Sequence, residues 1–268
     1  MVIFPNCKIN LGLNIIGRRS DGYHNIETVF YPIPLYDVLE IIPAKDGMFG
    51  FSATGLPVPG EAGQNLCTRA YQMLQQEFGL PAIKMHLHKV IPMGAGLGGG
   101  SSDGAHALAL LNRLFELGLA DEQLEDFARR LGSDCAFFIR NTPCYGFEKG
   151  DRFEKIDLDL AGLTLAVVIP GIHVSTAEAY SLITPTLPGR LIKEVVRLPV
   201  NEWKDKLVND FEIPVIGKYP VIGSVKSTLY DAGALYAAMS GSGAAVFALF
   251  GEKPSLAGLF PGCFTWIT

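Results

Sequence analysis

Apolar and polar positions alternate almost from the start of the chain. Ile3, Ile9, Leu11, Leu13 and Ile15 recur between other residues, and residues 38–42 form another β-rich piece, so residues 2–42 read as strands. The period then lengthens. Asn65 is placed to cap a helix carrying Leu66, Ala70, Met73, Leu74 and Phe78, which Gly79 closes. A strand of period two follows, with Ile83, Met85 and Leu87 on one face and Lys84, His86 and His88 on the other. Helical spacing returns from about Ser102 to Glu116, with Ala105, Leu108, Ala109 and Leu111 inward. It returns again from Asp121 through Leu124, Phe127, Ala128 and Leu131, stopping at Gly132. Strand-like stretches at 137–139 and 146–147 end a first domain, placed at residues 1–154.

The second domain, residues 155–268, opens on a buried-type strand at 164–169. Ser175-Thr176-Ala177-Glu178 has capping-box spacing and predicts a helix through Leu182. Residues 189–212 read as partly helical, and a helix near 224–232 ends at Gly233. Residues 235–239, Gly241-Ser242-Gly243 and 244–250 read as strand, turn and strand. The chain shows no repeat, low-complexity tract or flexible linker.

Composition narrows the class. With 49% hydrophobic and 18% charged residues, the chain is globular rather than disordered. A formal charge of -5 disfavours bulk attraction to nucleic acid or anionic membrane. Cys7, Cys67, Cys135, Cys144 and Cys263 are odd in number and scattered without a C-x-x-C pair, which suits reduced thiols better than a disulfide framework or a zinc site. Lys8 interrupts the first apolar stretch, no signal-peptide cleavage pattern follows, and no apolar run approaches the roughly 20 residues of a spanning helix. A soluble, cytoplasmic protein is expected.

The sharpest chemical signal is Pro92-Met93-Gly94-Ala95-Gly96-Leu97-Gly98-Gly99-Gly100-Ser101-Ser102-Asp103-Gly104. It lies between a strand and a helix, where glycines let backbone N–H groups converge on an anion and the helix end adds unpaired donors. Five glycines in residues 94–100 exceed what a tight turn requires. The embedded G-x-G-x-x-G lacks flanking β-α-β repeats and an acidic residue about 20 positions on, so a nicotinamide dinucleotide site fits poorly. No Gly-Lys-Ser/Thr follows, so it is not a Walker loop either. Ser101 and Ser102 stand where a helix cap belongs, and a second hydroxyl there reaches a phosphate oxygen or its metal. Asp103 either complements the helix dipole or serves a metal.

The loop Gly96-Leu97-Gly98-Gly99-Gly100-Ser101-Ser102-Asp103 resembles the central motif of the GHMP small-molecule kinases. Four further pieces occur in that family's order: Pro5-Asn6-Cys7-Lys8-Ile9-Asn10-Leu11; Asp21-Gly22-Tyr23-His24 with Thr28 and Phe30; Gly132-Ser133-Asp134-Cys135-Ala136-Phe137-Phe138; and Ser240-Gly241-Ser242-Gly243 before residues 244–250. The extra glycine and the aspartate of the loop, with the Gly-Tyr-His segment, are similar to the branch that phosphorylates the 2-hydroxyl of a cytidine-diphosphate-linked methylerythritol in non-mevalonate isoprenoid precursor synthesis. Departures are Gly104 in place of an alanine, Asn6-Cys7 before Lys8, and a short C-terminus.

The resemblance implies an α+β fold of two domains. A ribosomal-S5-like N-terminal domain would carry the loop and a ferredoxin-like C-terminal domain would complete the substrate cleft. It implies ATP and Mg2+, with Pro92, Gly94, Gly96, Leu97, Gly98, Gly99, Gly100, Ser101, Ser102 and Asp103 around the nucleotide; Ser102 is the first guess for a metal ligand. Asp134, just past a helix stop, would be the general base. Lys8, a charge in an apolar strand, needs a partner, and a pairing with Asp134 would satisfy it, orient the base and stabilise phosphoryl charge. Asn10 would touch the substrate near the reacting hydroxyl. Tyr23 and His24 would meet cytosine with Tyr180 as a second aromatic face, although Tyr180 also fits a core position; His173 is a further contact by position alone. His86 and His88 share a strand face and His106 reads as a packing residue, while Cys7 and Cys135 read as small core residues. The partner expected is a small molecule bearing cytidine diphosphate, with no nucleic acid or membrane and a monomer or weak homodimer. Rivals are a GHMP kinase for homoserine, a sugar or a mevalonate-type alcohol, and a catalytically silent metabolite sensor.

Overall fold

A computed structural model describes residues 1–60 and 62–268. In chain order the elements are β1 (Val2–Ile3), β2 (Asn6–Arg18), β3 (His24–Tyr36), β4 (Val38–Pro43), β5 (Gly50–Gly55), α1 (Leu66–Phe78), β6 (Ile83–Lys89), α2 (Gly99–Leu114), α3 (Asp121–Leu131) and α4 (Phe137–Arg140). They continue as β7 (Cys144–Phe147), β8 (Arg152–Lys155), β9 (Thr164–Ile169), α5 (Thr176–Ser181), α6 (Ile192–Val195), α7 (Glu212–Lys218), α8 (Pro220–Asp231), β10 (Tyr236–Met239), β11 (Val246–Phe250) and β12 (Phe264–Ile267). The chain forms two compact units, each built from separate segments. The first comprises residues 1–8, 32–93 and 98–142; the second comprises 9–31, 94–97 and 143–268. Both β2 and β3 therefore run from one unit into the other, and so does the glycine loop.

In the first unit, β1, β4, β6 and β5 form a sheet in that order, antiparallel except for the parallel β5–β6 pair. The alternation read in β6 holds: Ile83, Met85 and Leu87 are buried. Edge strand β5 has no apolar alternation to betray it, because its residues are largely exposed. Its hydroxyls instead engage the outward histidines, Ser52 Oγ lying 2.8 Å from His86 Nδ1 and Thr54 Oγ1 2.9 Å from His88 Nδ1. These two histidines thus tie β6 to β5 across the strands.

In the second unit, β10, β11, β9 and β12 form an antiparallel sheet. Ala166, Val168, Met239, Val246 and Ala248 share a core with Ile222, Val225 and Leu229 of α8 and Val215 of α7. Strand β12 pairs with β9 at one edge of this sheet. Strands β2, β3, β7 and β8 form the remaining sheet. No helix among the described residues is long and apolar enough to cross a membrane.

Three local readings change. Residues 137–139 are helical, not extended: the turn after Gly132 continues through Phe138 N–H to Cys135 O and Asn141 N–H to Phe137 O, burying two adjacent phenylalanines that mimicked a strand. Helix α2 begins at Gly99, three residues early, so Ser101 and Ser102 lie inside it. The capping box at Ser175 does not close; Glu178 is engaged by Lys218 and by Tyr219 Oη at 3.0 Å.

Candidate active site

Strand β2 is buried along residues 6–15 and carries polar side chains inside it. Lys8 is only 3% exposed, and its Nζ lies 3.5 Å from Asp134 Oδ2. The expected pair is therefore formed. Asp134, 38% exposed, projects from the turn between α3 and α4, where Cys135 N–H bonds to Gly132 O at 3.1 Å and the buried Cys135 anchors the turn. Asn6 and Asn141 exchange amide hydrogen bonds of 3.1 and 2.6 Å, tying the start of β2 to the end of α4 on either side of the pair. Cys7 is also a buried core thiol, held neutral because burial pushes its ionisation upward.

The N-terminus of α2 lies beside Lys8: a Cβ on Gly98 would sit 3.1 Å from Lys8 Cε. Gly98 caps the helix in a left-handed conformation with no side-chain cap, and the first carbonyl to accept is that of Gly98, from Ser102 N–H at 2.9 Å. The N–H groups of Gly99, Gly100 and Ser101 thus have no intrahelical acceptor, and a helix end of this kind favours an anion. Neither serine competes for them. No side-chain hydrogen bond caps the helix, and the fully buried Ser102 places its hydroxyl 3.1 Å from His106 Nδ1. Among the described residues no group of three or more His, Cys, Asp or Glu could hold a metal ion.

Asp103 departs from both roles considered for it. With α2 starting at Gly99 it lies past the first turn, where a dipole role fades, and it is 2% exposed with its Oδ2 accepting from Lys89 Nζ at 2.7 Å. Lys89 also donates to Asp37 Oδ2 at 2.5 Å. Burial pushes the Asp103 carboxyl up from 3.8 to about 7; Lys89 opposes the rise and Asp37 adds to it. A carboxyl with a raised folded-state pKa binds more protons folded than unfolded, so its contribution to stability is present at acid pH and is lost as pH rises between about 4 and 7. Urea midpoints taken from pH 5 to 8 are expected to fall in the wild type and to fall less in Asp103→Asn; parallel profiles would contradict this assignment.

In the second unit, the front of the glycine loop docks on the turn after β10. Ala245 N–H donates to Ala95 O at 3.0 Å, and Ser240 Oγ donates to Gly96 O at 2.9 Å. Gly96 has φ +82, and a Cβ there would lie 2.0 Å from the Ser240 carbonyl oxygen, so only glycine fits. Asn10 is buried; its N–H lies 3.2 Å from Ser240 Oγ and its Nδ2 bonds Thr28 Oγ1 at 3.0 Å.

His24 stacks on Tyr180 with ring centroids 4.8 Å apart, and Tyr180 meets Phe211 edge-on at 4.9 Å. Burial and Arg18 hold His24 below the usual histidine range. Tyr23 is 57% exposed with Lys149 Nζ 5.1 Å from its ring centroid. His173 lies against Gly94, where a Cβ would be 2.8 Å from its Cε1.

Comparison with known proteins gives the family. Residues 65–141 match the GHMP kinases N terminal domain and residues 191–266 the GHMP kinases C terminal domain. The chain is 50% identical over 269 residues to a 4-diphosphocytidyl-2-C-methyl-D-erythritol kinase of Parabacteroides distasonis, covering 99% of this chain and 98% of that one. It is 52% identical over 258 residues to the protein of the same name in Bacteroides fragilis, covering 96% and 94%. A crystal structure of 4-(cytidine 5'-diphospho)-2C-methyl-D-erythritol kinase superposes with a TM-score of 0.79 at 31% identity, covering 93% of this chain and 90% of that one. Matched at both of its characteristic segments and along nearly its whole length, the chain belongs to the GHMP kinase family.

Proposed function

We propose that the protein transfers the γ-phosphoryl group of ATP to the 2-hydroxyl of 4-diphosphocytidyl-2-C-methyl-D-erythritol. The observation that carries this reading is the buried Lys8 paired with the accessible Asp134 beside the open N-terminus of α2. The acceptor O–H gives its proton to the Asp134 carboxylate as the oxygen forms a bond to the γ-phosphorus. The bond from that phosphorus to the β-bridging oxygen breaks and ADP leaves. The Lys8 ammonium orients Asp134 and offsets charge on the phosphoryl oxygens. N–H groups at the start of α2, with the loop from Pro92, hold the phosphates.

Magnesium enters with ATP, as part of the substrate chelate, since magnesium is commonly bound through phosphates and few protein ligands. Asn10 faces the acceptor near its hydroxyl. Tyr23, His24 and Tyr180 recognise cytosine; His24 and Tyr180 stack on each other without the base, so Tyr180 serves as the second aromatic face once the two rings part to admit it. Residues 1–154 and 155–268 are the N- and C-terminal domains in the family sense. Five free thiols and a formal charge of -5 support a cytoplasmic enzyme, a monomer or weak homodimer, that binds neither nucleic acid nor membrane.

ADP release tests the reaction, with ATP, magnesium and the cytidyl substrate beside mevalonate and homoserine controls. Turnover with the cytidyl substrate alone is expected. Turnover with a control alone refutes the substrate, and ATP binding without turnover on all three favours the silent sensor. Tyr180→Leu, which retains apolar volume against Phe211, is expected to raise KM for the cytidyl substrate about tenfold with kcat and KM for ATP little changed. An unchanged KM removes Tyr180 from cytosine recognition.

A further inference from the structure

Asp37, Lys89 and Asp103 meet in one buried cluster at the base of the glycine loop, and no step of the proposed reaction uses them. Each contact ties a different part of the loop's support. Asp37 Oδ1 accepts the backbone N–H groups of Val90 and Ile91, at 2.6 and 2.9 Å, so it fixes the chain as it leaves β6. Lys89 Nζ reaches from that same exit to Asp37 Oδ2 at 2.5 Å and to Asp103 Oδ2 at 2.7 Å, inside α2. Lys89 Nζ also lies under the first residue of α2, 3.2 Å from where a Cβ of Gly99 would stand. One ammonium thus joins the strand that enters the loop to the helix that leaves it.

Stability alone is a poor reason for such a cluster. Buried ion pairs gain little net free energy over apolar packing. This one is also unbalanced, two carboxylates to one lysine, and leaves the buried Asp103 Oδ1 without a hydrogen-bond partner. What the arrangement does supply is directionality, since charged hydrogen bonds of this length tolerate little displacement. Fixed donors at the helix end are worth more to a phosphate than mobile ones, because no reorganisation is needed on binding.

We propose that Asp37, Lys89 and Asp103 are positioning residues for phosphoryl transfer, an ionic staple that holds the two ends of the glycine loop in register so that the N–H groups at the start of α2 point at the nucleotide phosphates. This rests on the reading of the loop as the ATP site. None of the three residues touches substrate; they act through Val90, Ile91 and the first turn of α2.

The test pairs Asp103→Ala, which cuts the staple, with the isosteric Asp103→Asn, whose amide oxygen still accepts from Lys89. Asp103→Ala is expected to raise KM for ATP at least about tenfold while kcat and KM for the cytidyl substrate change much less, and Asp103→Asn to recover most of the loss. In protein without nucleotide, amide hydrogen exchange across residues 90–103 is expected to accelerate in Asp103→Ala and to return toward wild type in Asp103→Asn. If Asp103→Ala fails to fold, the same comparison of Asp103→Asn with wild type decides: the Asn variant must keep loop protection and an ATP KM near wild type. Faster loop exchange with an unchanged KM for ATP overturns the positioning role and leaves the reaction intact. Equal losses in kcat and in both KM values overturn it as well, since a merely structural role produces that pattern. Wild-type protein that turns over no ATP overturns both readings.

Discussion

Asp134→Asn is expected to lower kcat by about two to four orders of magnitude, the range for losing a positioned general base. The amide keeps the size of the carboxylate and a carbonyl oxygen for Lys8, so the turn from Gly132 and the buried Cys135 remain in place. What disappears is the group that takes the hydroxyl proton. KM for ATP is expected to stay within about threefold of wild type, because the phosphates are held by backbone N–H groups that Asp134 does not contact. The check is steady-state kinetics on protein whose melting temperature matches wild type. A kcat within about threefold of wild type removes Asp134 as the base.

Gly96→Ala carries the second large effect, for a steric reason. At φ +82 an L-residue is strained by about 1–2 kcal/mol before any contact is counted. The added methyl would then sit 2.0 Å from the Ser240 carbonyl oxygen, a backbone atom that cannot rotate away. Either the loop front or the turn after β10 must shift, breaking the Ser240 Oγ bond to Gly96 O and the Ala245 N–H bond to Ala95 O. A loss of several kcal/mol in unfolding free energy is expected, about the size seen when a special backbone position is forced. Residual folded protein should bind ATP weakly. By contrast Gly22→Ala, at a left-handed glycine with open space around it, should show the strain without the clash. Equal losses at both positions would mean that the docking of the loop on the turn contributes nothing.

Much of this was legible in the chain. The loop and the need of Lys8 for a counter-charge followed from residue type, because a lysine in an apolar strand must find one, while the resemblance to the kinase motifs pointed to Asp134 as that partner. The pattern of β6 also held an unread clue. Its inward positions are Ile83, Met85 and Leu87, and the next in step is Lys89, which is equally buried. A lysine in an inward slot announces buried carboxylates, but only the fold shows that these are Asp37 and Asp103. A helix read as starting at Ser102 puts Asp103 in its first turn; with α2 beginning at Gly99, Asp103 falls beyond that turn, where a dipole role fades. Strand β5 was illegible because its stability comes from pairing with β6 and from hydroxyl–histidine bonds rather than from apolar burial. The interleaving of the two units along the sequence left no mark in composition, since β2 and β3 are continuous strands.

The central claim is that this chain moves a phosphoryl group onto the cytidyl acceptor with Asp134 taking the proton. Phosphorus NMR of a reaction containing ATP, magnesium and 4-diphosphocytidyl-2-C-methyl-D-erythritol reads that transfer directly. The account expects a new phosphomonoester resonance that grows in step with ADP for the wild type and is lost in Asp134→Asn. ADP accompanied only by inorganic phosphate, or an ester that forms at the same rate without Asp134, would contradict it.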